Sequence, residues 1–297
     1  MDSSKLYDEV REHYSSASRS TSVKYGETVA KSFGYSAEEL ANIPQDANLG
    51  LSCGNPLAIA SLKEGDTVID LGSGAGFDVF LAAAKVGPSG RAIGIDMNDD
   101  MLARANAIRA TQSASGIPTD HITFLQGNIT SLPFLASDMA DCIISNCVIN
   151  LVPRPDKPAV FREMYRLLKP RGGRVAVSDI LAKKPLSEQL SKDMALYVGC
   201  IAGASTVAEY EAWLAEAGFT DVMIVDTGAD LNVYLQTGED GEKKSSSCSP
   251  AAAGGCGDAG VAAAPAGDGC SASAGLVPEK MDLNEFVGSY KIIAVKN

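Results

Sequence analysis

The chain has 297 residues, 45% of them hydrophobic, which is enough for one or two domains with buried cores. No stretch approaches the roughly 20 consecutive apolar residues of a membrane span, and the N-terminus lacks the apolar core of a signal peptide. We therefore expect a cytoplasmic protein with no membrane partner. The formal net charge of −12 argues against nucleic-acid binding, which selects for a basic surface.

The first 47 residues are polar and favour helices. Ser36 stands three positions before Glu39, the spacing of a helix-capping box. From Asp66 onward, strand and helix patterns alternate, which is typical of a parallel sheet built from βαβ units. The predicted strands are Thr67–Leu71, Arg91–Asp96, Ile122–Gln126, Met139–Ser145 and Arg174–Asp179, and the predicted helices between them are 77–86, 99–113 and 157–169.

The first predicted strand runs into a glycine-rich turn, Gly72 to Gly76, that is followed by a helix. Glycine lets a ligand lie directly on the backbone, and the helix N-terminus offers free N–H groups. Asp96 ends the second strand, where a carboxylate can bind a ribose hydroxyl pair. Phe77 replaces the third glycine of the dinucleotide fingerprint. The turn therefore resembles the cofactor loop of Rossmann-like methyltransferases that use S-adenosylmethionine.

The C-terminal third changes character twice. Helices are predicted near 187–198 and 206–216, and a strand at 219–226. Residues 241–275 are nearly all Gly, Ala, Ser and Pro, so we expect a flexible insert that cannot bury enough apolar surface to fold. Three of the seven cysteines, Cys248, Cys256 and Cys270, lie in it, either as exposed thiols or as a tether that captures substrate. A strand at 289–296 is expected to close the sheet antiparallel at its end.

The other four cysteines lie in different parts of the predicted fold. Cys53 lies in a turn before the first strand, Cys147 at the carboxyl end of the fourth, and Cys200 after the fifth. Ligands of open α/β sheets bind beyond the carboxyl ends of strands, so Cys147 should lie near the cofactor. Cys142 should face the opposite side of the strand and belong to the core. Disulfides are unusual in the cytoplasm. The sequence contains no Cys-x-x-Cys pair, so we do not expect a structural zinc site.

Outside 241–275, the sequence resembles the arsenite S-adenosylmethionine methyltransferases. The motifs that carry the resemblance are YGE (25–27), ANLGLSCGNP (47–56), VIDLGSGAGFD (68–78), GIDMN (94–98), GNITSLPF (127–134), SNCVINL (145–151), LLKPRGG (167–173), YVGCIAGA (197–204) and GSYKIIAVK (288–296). The resemblance implies that Cys53, Cys147 and Cys200 hold trivalent arsenic, a soft atom that prefers thiolates. Simple packing roles for Cys53 and Cys200 remain alternatives.

The resemblance also implies the cofactor contacts. Asp70, Gly72 and Gly74 would lie at the methionine moiety, Asp96 at the ribose, Met97, Asn128 and Ile129 at the adenine, and Asn146 beside the amino-acid end, with Gly76 a further cofactor-binding residue. A role in core packing for Met97 and a role as a turn cap for Asn128 remain alternatives. A thiol reductant, thioredoxin or glutathione, would restore the cysteines. Many members have an additional N-terminal cysteine that pairs with the first arsenic ligand, but residues 1–52 contain none.

We therefore predict an α/β, Rossmann-like class I methyltransferase fold with a mostly parallel seven-stranded sheet. The expected parts are an N-terminal helical cap (1–61), an S-adenosylmethionine-binding core (62–181) and a substrate-facing region (182–297). The expected activity is methylation of arsenite for detoxification, in which the arsenic lone pair attacks the methyl group and thiols with lowered pKa values assist. The alternatives are a methyltransferase for an organic small molecule of quinone or sterol type, and a non-catalytic arsenic-binding protein.

Overall fold

The computed structural model of the chain describes residues 3–18, 23–186, 200–232 and 282–297. The predicted helix at 187–198 and the predicted insert at 241–275, with its three cysteines, lie outside these ranges. None of the helices within them has both the length and the apolar character needed to cross a membrane.

The elements follow the alternation expected from the sequence. The helices are α1 (Ser3–Ser18), α2 (Val23–Ser32), α3 (Ala37–Ala41), α4 (Phe77–Val86), α5 (Asp99–Ala114), α6 (Lys157–Leu167) and α7 (Val207–Ala217). The strands are β1 (Thr67–Leu71), β2 (Arg91–Asp96), β3 (Ile122–Gln126), β4 (Cys142–Asn146), β5 (Gly173–Ala182), β6 (Thr220–Asp226) and β7 (Val287–Lys296). The capping box predicted at Ser36 and Glu39 starts α3, with both reciprocal hydrogen bonds present.

The seven strands form one sheet in the order β3-β2-β1-β4-β5-β7-β6. The first five strands pair in parallel, and β7 pairs antiparallel with β5 and β6. This arrangement confirms the predicted Rossmann-like fold. The closing strand is antiparallel as expected, but it lies inside the sheet rather than at its end. It pairs with β5 from Ala182↔Val287 to Gly173↔Lys296, which leaves β6 as the edge.

Two predicted boundaries are shifted by hydrogen bonds between distant segments. β4 starts at Cys142 and not at Met139, because the Met139 N–H donates to the Leu167 carbonyl instead of joining the ladder. The helix expected to reach residue 169 ends at Leu167, because Leu168 is extended and the Lys169 N–H donates to the Ala140 carbonyl. The segment before β4 and the end of α6 therefore hold each other in place.

Side chains alternate across the sheet, and each face has its own helical cover. α4 and α5 pack on the face that carries Val68 and Ile144, and α6 and α7 pack on the face that carries Ile69 and Val177. Cys142 is fully buried on the α4 side, as predicted. A third apolar cluster contains Cys53, Cys147 and Cys200.

Candidate active site

The loop after β1 lies close against β2 and the segment that follows β4. The N–H groups of Gly72 and Ser73 both donate to the Ile95 carbonyl, at 2.7 and 2.9 Å. Gly72 has a φ of +78°, and a Cβ at this position would lie 2.4 Å from Cγ2 of Val148. Only glycine meets both the left-handed conformation and the close approach.

A cleft lies over this loop and encloses about 1040 Å³ of empty space, part of it open to solvent. Eight of the nine predicted cofactor residues line it: Asp70, Gly72, Gly74, Asp96, Met97, Asn128, Ile129 and Asn146. Gly76 does not line the cleft, and its expected cofactor contact stays a prediction. A Cβ on Gly76 would lie 2.7 Å from the Phe124 ring, so this glycine permits the close packing of α4 on the core.

Three carboxyl groups, those of Asp70, Asp78 and Asp96, line the cleft. Burial, with Asp78 and Asp96 nearby, holds the pKa of Asp70 well above its usual value. Burial raises the pKa of Asp78 to about 6, although hydrogen bonds from Asn146 and Tyr35 oppose that rise. Burial also raises the pKa of Asp96. A cationic ligand would restore the charged state of these groups, so the cleft favours a ligand with positive charge.

The residues present fit S-adenosylmethionine, which carries a sulfonium and an ammonium group. The Ser73 hydroxyl is buried in the cleft wall and has no hydrogen-bond partner among the described residues. A buried, unsatisfied hydroxyl is costly in the free protein. The Asp96 carboxylate already accepts from the N–H groups of Gly74 and Asn98, so a ribose would have to share its oxygens.

Asp78 and Tyr35 belong to the site although no role was predicted for either. Asp78 lies in the first turn of α4, and its carboxylate accepts from the Tyr35 hydroxyl at 2.7 Å and from Asn146 Nδ2 at 3.0 Å. The sequence could have indicated Asp78 as a site residue, because it follows closely after the glycine loop. Nothing in the sequence around Tyr35 indicates a contact with a residue 43 positions away.

Helix α1 covers one side of the cleft through Tyr7, Val10 and Tyr14. It is attached to the loop after β2, because Asn98 Nδ2 donates to the Arg11 carbonyl at 2.9 Å. The spacing of these three residues is that of one face of a helix. The sequence could therefore have indicated that this face is buried, but not that it covers the cleft.

At the far end of the cleft, Cys53 and Cys147 are joined by a disulfide, with their Cα atoms 5.8 Å apart. Both are buried, and Cys147 also lines the cleft. The sequence offers no reason to expect a disulfide at this pair. The turn before β1 and the end of β4 meet within the distance that a disulfide spans, which the 94-residue separation in sequence does not reveal.

Cys200 lies beside this pair as a buried free thiol. Its Sγ donates to the Cys147 carbonyl at 2.8 Å. Burial, and then the nearby Asp179 carboxylate, raise the pKa of Cys200 above its usual range, opposite to the lowered values expected from the sequence. Cys147 and Cys200 have φ angles of +59° and +64°. Such left-handed conformations cost non-glycine residues about 1–3 kcal/mol each, and they are concentrated at functional sites.

Asp179 completes this end of the cleft, and no role was predicted for it. One of its carboxylate oxygens and the sulfurs of Cys53 and Cys147 all lie within 4.8 Å of one another. The carboxylate is fully buried and accepts from the Tyr210 hydroxyl at 2.8 Å and from Asn150 Nδ2 at 2.9 Å. Burial raises its pKa to about 6.

Comparison with known proteins gives a consistent result. Residues 62–218 match the family described as Methyltransferase domain. An arsenite methyltransferase of Halobacterium salinarum is 45% identical over 214 residues, which cover 68% of this chain and 52% of that protein. A 2-phytyl-1,4-naphtoquinone methyltransferase of Synechococcus elongatus is 34% identical over 157 residues, covering 51% of this chain and 63% of that protein. The chain thus spans about half the length of the arsenite methyltransferase it matches.

Among solved structures, the arsenic(III) S-adenosylmethionine methyltransferase of Chlamydomonas reinhardtii superimposes with a TM-score of 0.57 at 24% identity. The match covers 91% of this chain and 73% of that one. At this identity the superposition supports the fold alone.

Proposed function

The chain belongs to the methyltransferase domain family, and from this premise we propose that it transfers the methyl group of S-adenosylmethionine to trivalent arsenic. The observation that carries the proposal is the position of Cys53, Cys147 and Cys200. All three are buried in one apolar cluster, and Cys147 forms part of the cleft wall. A soft acceptor held by sulfur would therefore lie at the end of the cofactor cleft. The similarity to arsenite methyltransferases supports this choice of acceptor.

Arsenite can enter the site without prior ionisation of the thiols. Each thiol that replaces a hydroxyl group of arsenous acid gives its proton to that group, which leaves as water. Three exchanges convert As(OH)₃ and three thiols into one tris-thiolate and three waters. The raised pKa of Cys200 is compatible with this exchange. The buried apolar surroundings then exclude water from the bound arsenic.

When bound in the cleft, S-adenosylmethionine supplies an electrophilic methyl group on its sulfonium. Asp70, Asp78 and Asp96 would hold its positive charge, and the glycine loop would bear its backbone contacts. Cys53, Cys147 and Cys200 would direct the arsenic lone pair away from the three sulfurs. No proton has to be removed from the nucleophile, so the residues act by alignment, which can lower a barrier by several kcal/mol.

Electron balance explains the need for a reductant. Donation of the arsenic lone pair to a methyl cation oxidises arsenic from the trivalent to the pentavalent state. Two thiolates can return two electrons by leaving arsenic as a disulfide. Cys53 and Cys147 form such a disulfide in the structure. An external thiol of the glutathione or thioredoxin type would then reduce it and prepare the site for the next arsenite.

The proposed activity can be tested with the full chain, arsenite, S-adenosylmethionine and a thiol reductant. We expect methylated arsenicals, with one S-adenosylhomocysteine released for each methyl group transferred, measured by liquid chromatography with elemental mass detection. When the chain is first reduced and the reductant is then removed, turnover should stop after about one equivalent. Arsenite binding without S-adenosylhomocysteine would instead indicate a binding protein. Methylation of a quinone that survives Cys200→Ser would indicate the organic-substrate alternative.

The affinity for S-adenosylmethionine should fall as the pH is lowered through about 6. Protonation of Asp78, whose pKa lies at about 6 in the free protein, removes a negative charge that faces the cation. A cation stabilises the charged carboxylate, so binding near this pH should also release protons. We expect affinity to decrease by about tenfold between pH ~7.5 and pH ~5. Calorimetry in two buffers of different ionisation enthalpy measures both effects.

Asp78→Asn should bind S-adenosylmethionine weakly and lose most of this pH dependence. A residual dependence from Asp70 and Asp96, whose pKa values are also raised, is expected. Asp120→Asn changes an exposed carboxylate outside the cleft and should retain the full dependence. An unchanged pH profile in Asp78→Asn would contradict this role.

A further inference from the structure

Two asparagines flank Cys147 in the segment Asn146-Cys-Val-Ile-Asn150, and each contacts the backbone at a different cysteine. Asn146 ends β4, and Asn150 lies four residues later in a short 3-10 turn. The Asn146 side chain reaches the turn that carries Cys53. The Asn150 side chain reaches the carbonyl of Cys200. The segment with the central cysteine therefore contacts both outer ones.

The side-chain amide of Asn146 forms hydrogen bonds with the backbone of both Cys53 and Gly54. Its Oδ1 accepts from the Cys53 N–H at 3.2 Å, and its Nδ2 donates to the Gly54 carbonyl at 2.9 Å. The same Nδ2 lies 3.0 Å from the Asp78 carboxylate and 2.9 Å from the Tyr35 hydroxyl. These contacts fix the amide orientation and connect the Cys53 turn to the cofactor cleft.

The side-chain amide of Asn150 is fully buried and forms a hydrogen bond with the backbone of Cys200. Its Nδ2 lies 3.2 Å from the Cys200 carbonyl, 2.5 Å from the Ile180 carbonyl and 2.9 Å from the Asp179 carboxylate. Lys157, also buried, donates to Asn150 Oδ1 at 3.4 Å and to the Gly203 carbonyl at 2.5 Å. Both ends of the segment that begins at Cys200 are thus bound to the core behind Cys147.

We propose that Asn146 and Asn150 are positioning residues that determine how many sulfurs reach arsenic. Asn146 keeps Cys53 within reach of Cys147, and Asn150 does the same for Cys200. Together they make the site three-coordinate, which suits arsenite with its three exchangeable hydroxyl groups. An arsenical with one carbon substituent exchanges only two groups and needs only one outer cysteine. The asparagines therefore determine specificity for inorganic arsenite. This inference rests on the proposed arsenic site.

The test uses the reduced full chain, with arsenite and phenylarsine oxide as probes. X-ray absorption spectroscopy measures the number of sulfurs on bound arsenic, and titration measures affinity. We expect three sulfurs in the unaltered protein and two sulfurs with one oxygen in Asn146→Ala and in Asn150→Ala. Arsenite affinity should fall by about tenfold or more in each. Phenylarsine oxide affinity should change by less than about threefold, because each variant keeps one cysteine pair in place.

Cys53→Ser and Cys200→Ser supply the reference spectra for loss of one outer sulfur. Asn106→Ala, on α5 and away from the cleft, is the matched control and should keep three sulfurs. Asn150 does not line the cleft, so Asn150→Ala should bind S-adenosylmethionine normally. If Asn150→Ala does not fold, Asn150→Ser retains a small hydrogen-bonding group, and partial recovery of the third sulfur is expected.

Three sulfurs and unchanged arsenite affinity in either asparagine variant would overturn the role of that asparagine. If a variant lost affinity for phenylarsine oxide as well as for arsenite, the role would also be overturned, because the substitution would then have disturbed Cys147 and not only one outer cysteine. Fewer than three sulfurs in the unaltered protein would refute the proposed arsenic site itself.

Discussion

Replacement of Cys147 by serine should lower the rate of arsenic methylation by about a thousandfold or more, because it removes the central sulfur ligand from the site. Cys147 lies between the other two cysteines: it is bonded to Cys53, and its carbonyl accepts from the Cys200 thiol. A serine oxygen is a poor ligand for a soft atom. The side chains are nearly equal in size, so S-adenosylmethionine should bind with affinity changed by less than about threefold.

Cys142→Ser is the matched control, because it makes the same change at the first residue of β4, whereas Cys147 directly follows the last residue of that strand. Cys142 faces the α4 side of the sheet, away from the other cysteines. Burial raises the pKa of its thiol to about 12, so it stays protonated at neutral pH. The control should lose stability but retain methylation. Both variants are assayed with excess reductant, so that the disulfide does not affect the comparison. Equal methylation rates in the two variants would remove Cys147 from the mechanism.

The sequence predicts the fold well because its signals are local. Each strand of the parallel part is a short apolar run, and each following helix begins at a recognisable turn. The predicted β1, β2 and β3 match the structure residue for residue. The error at the start of β4 has a different origin. Met139 has the character of a strand residue, but its N–H is taken by the end of α6, 28 residues later.

The cofactor cleft could be predicted in outline for the same reason. Its loop, Asp70 and Asp96 belong to one continuous stretch with a known relation to a bound nucleoside. Gly76 shares the glycine pattern but does not line the cleft, and both its φ of +91° and the Phe124 ring, 2.7 Å from where a Cβ would lie, require glycine there. Pattern identifies where glycine is needed, whereas only geometry shows which contact needs it.

The cysteine end was predicted as a set of residues but not as an arrangement. The bond between Cys53 and Cys147 joins positions 94 residues apart, and the Asn146 and Asn150 amides act over 93 and 50 residues. Asp179 has no motif of its own. Its proximity to the sulfurs follows from the pairing of β5 with β4, which places Ser178 opposite Asn146 and lets the Cys147 N–H donate to the Ser178 carbonyl. Such contacts depend on the completed sheet.

Substitution of Gly72 by alanine should lower the free energy of unfolding by about 3 kcal/mol and weaken S-adenosylmethionine binding by about a hundredfold. The new Cβ would lie 2.4 Å from Cγ2 of Val148, so the loop or the segment after β4 has to move. The left-handed φ of +78° adds strain of roughly 1 kcal/mol. Movement of the loop shifts the backbone on which the cofactor would lie, and Val148 is adjacent to Cys147. Thermal unfolding and calorimetric titration measure the two effects.

Two further variants separate strain from steric contact. Gly116→Ala has the same left-handed conformation, with a φ of +81°, but nothing lies within 4 Å of the new Cβ. It should lose only about 1 kcal/mol and bind S-adenosylmethionine normally. In Gly72→Ala combined with Val148→Ala, the two shortest contacts of the new Cβ, at 2.4 and 2.5 Å, are removed, and the contact with the Cβ of residue 148 at 2.9 Å remains. The double variant should be more stable than the sum of the single changes predicts, by about 1–2 kcal/mol. If the two changes are additive, contact with Val148 is not the reason that this position requires glycine, and the loop is not coupled to the neighbouring cysteines through Val148.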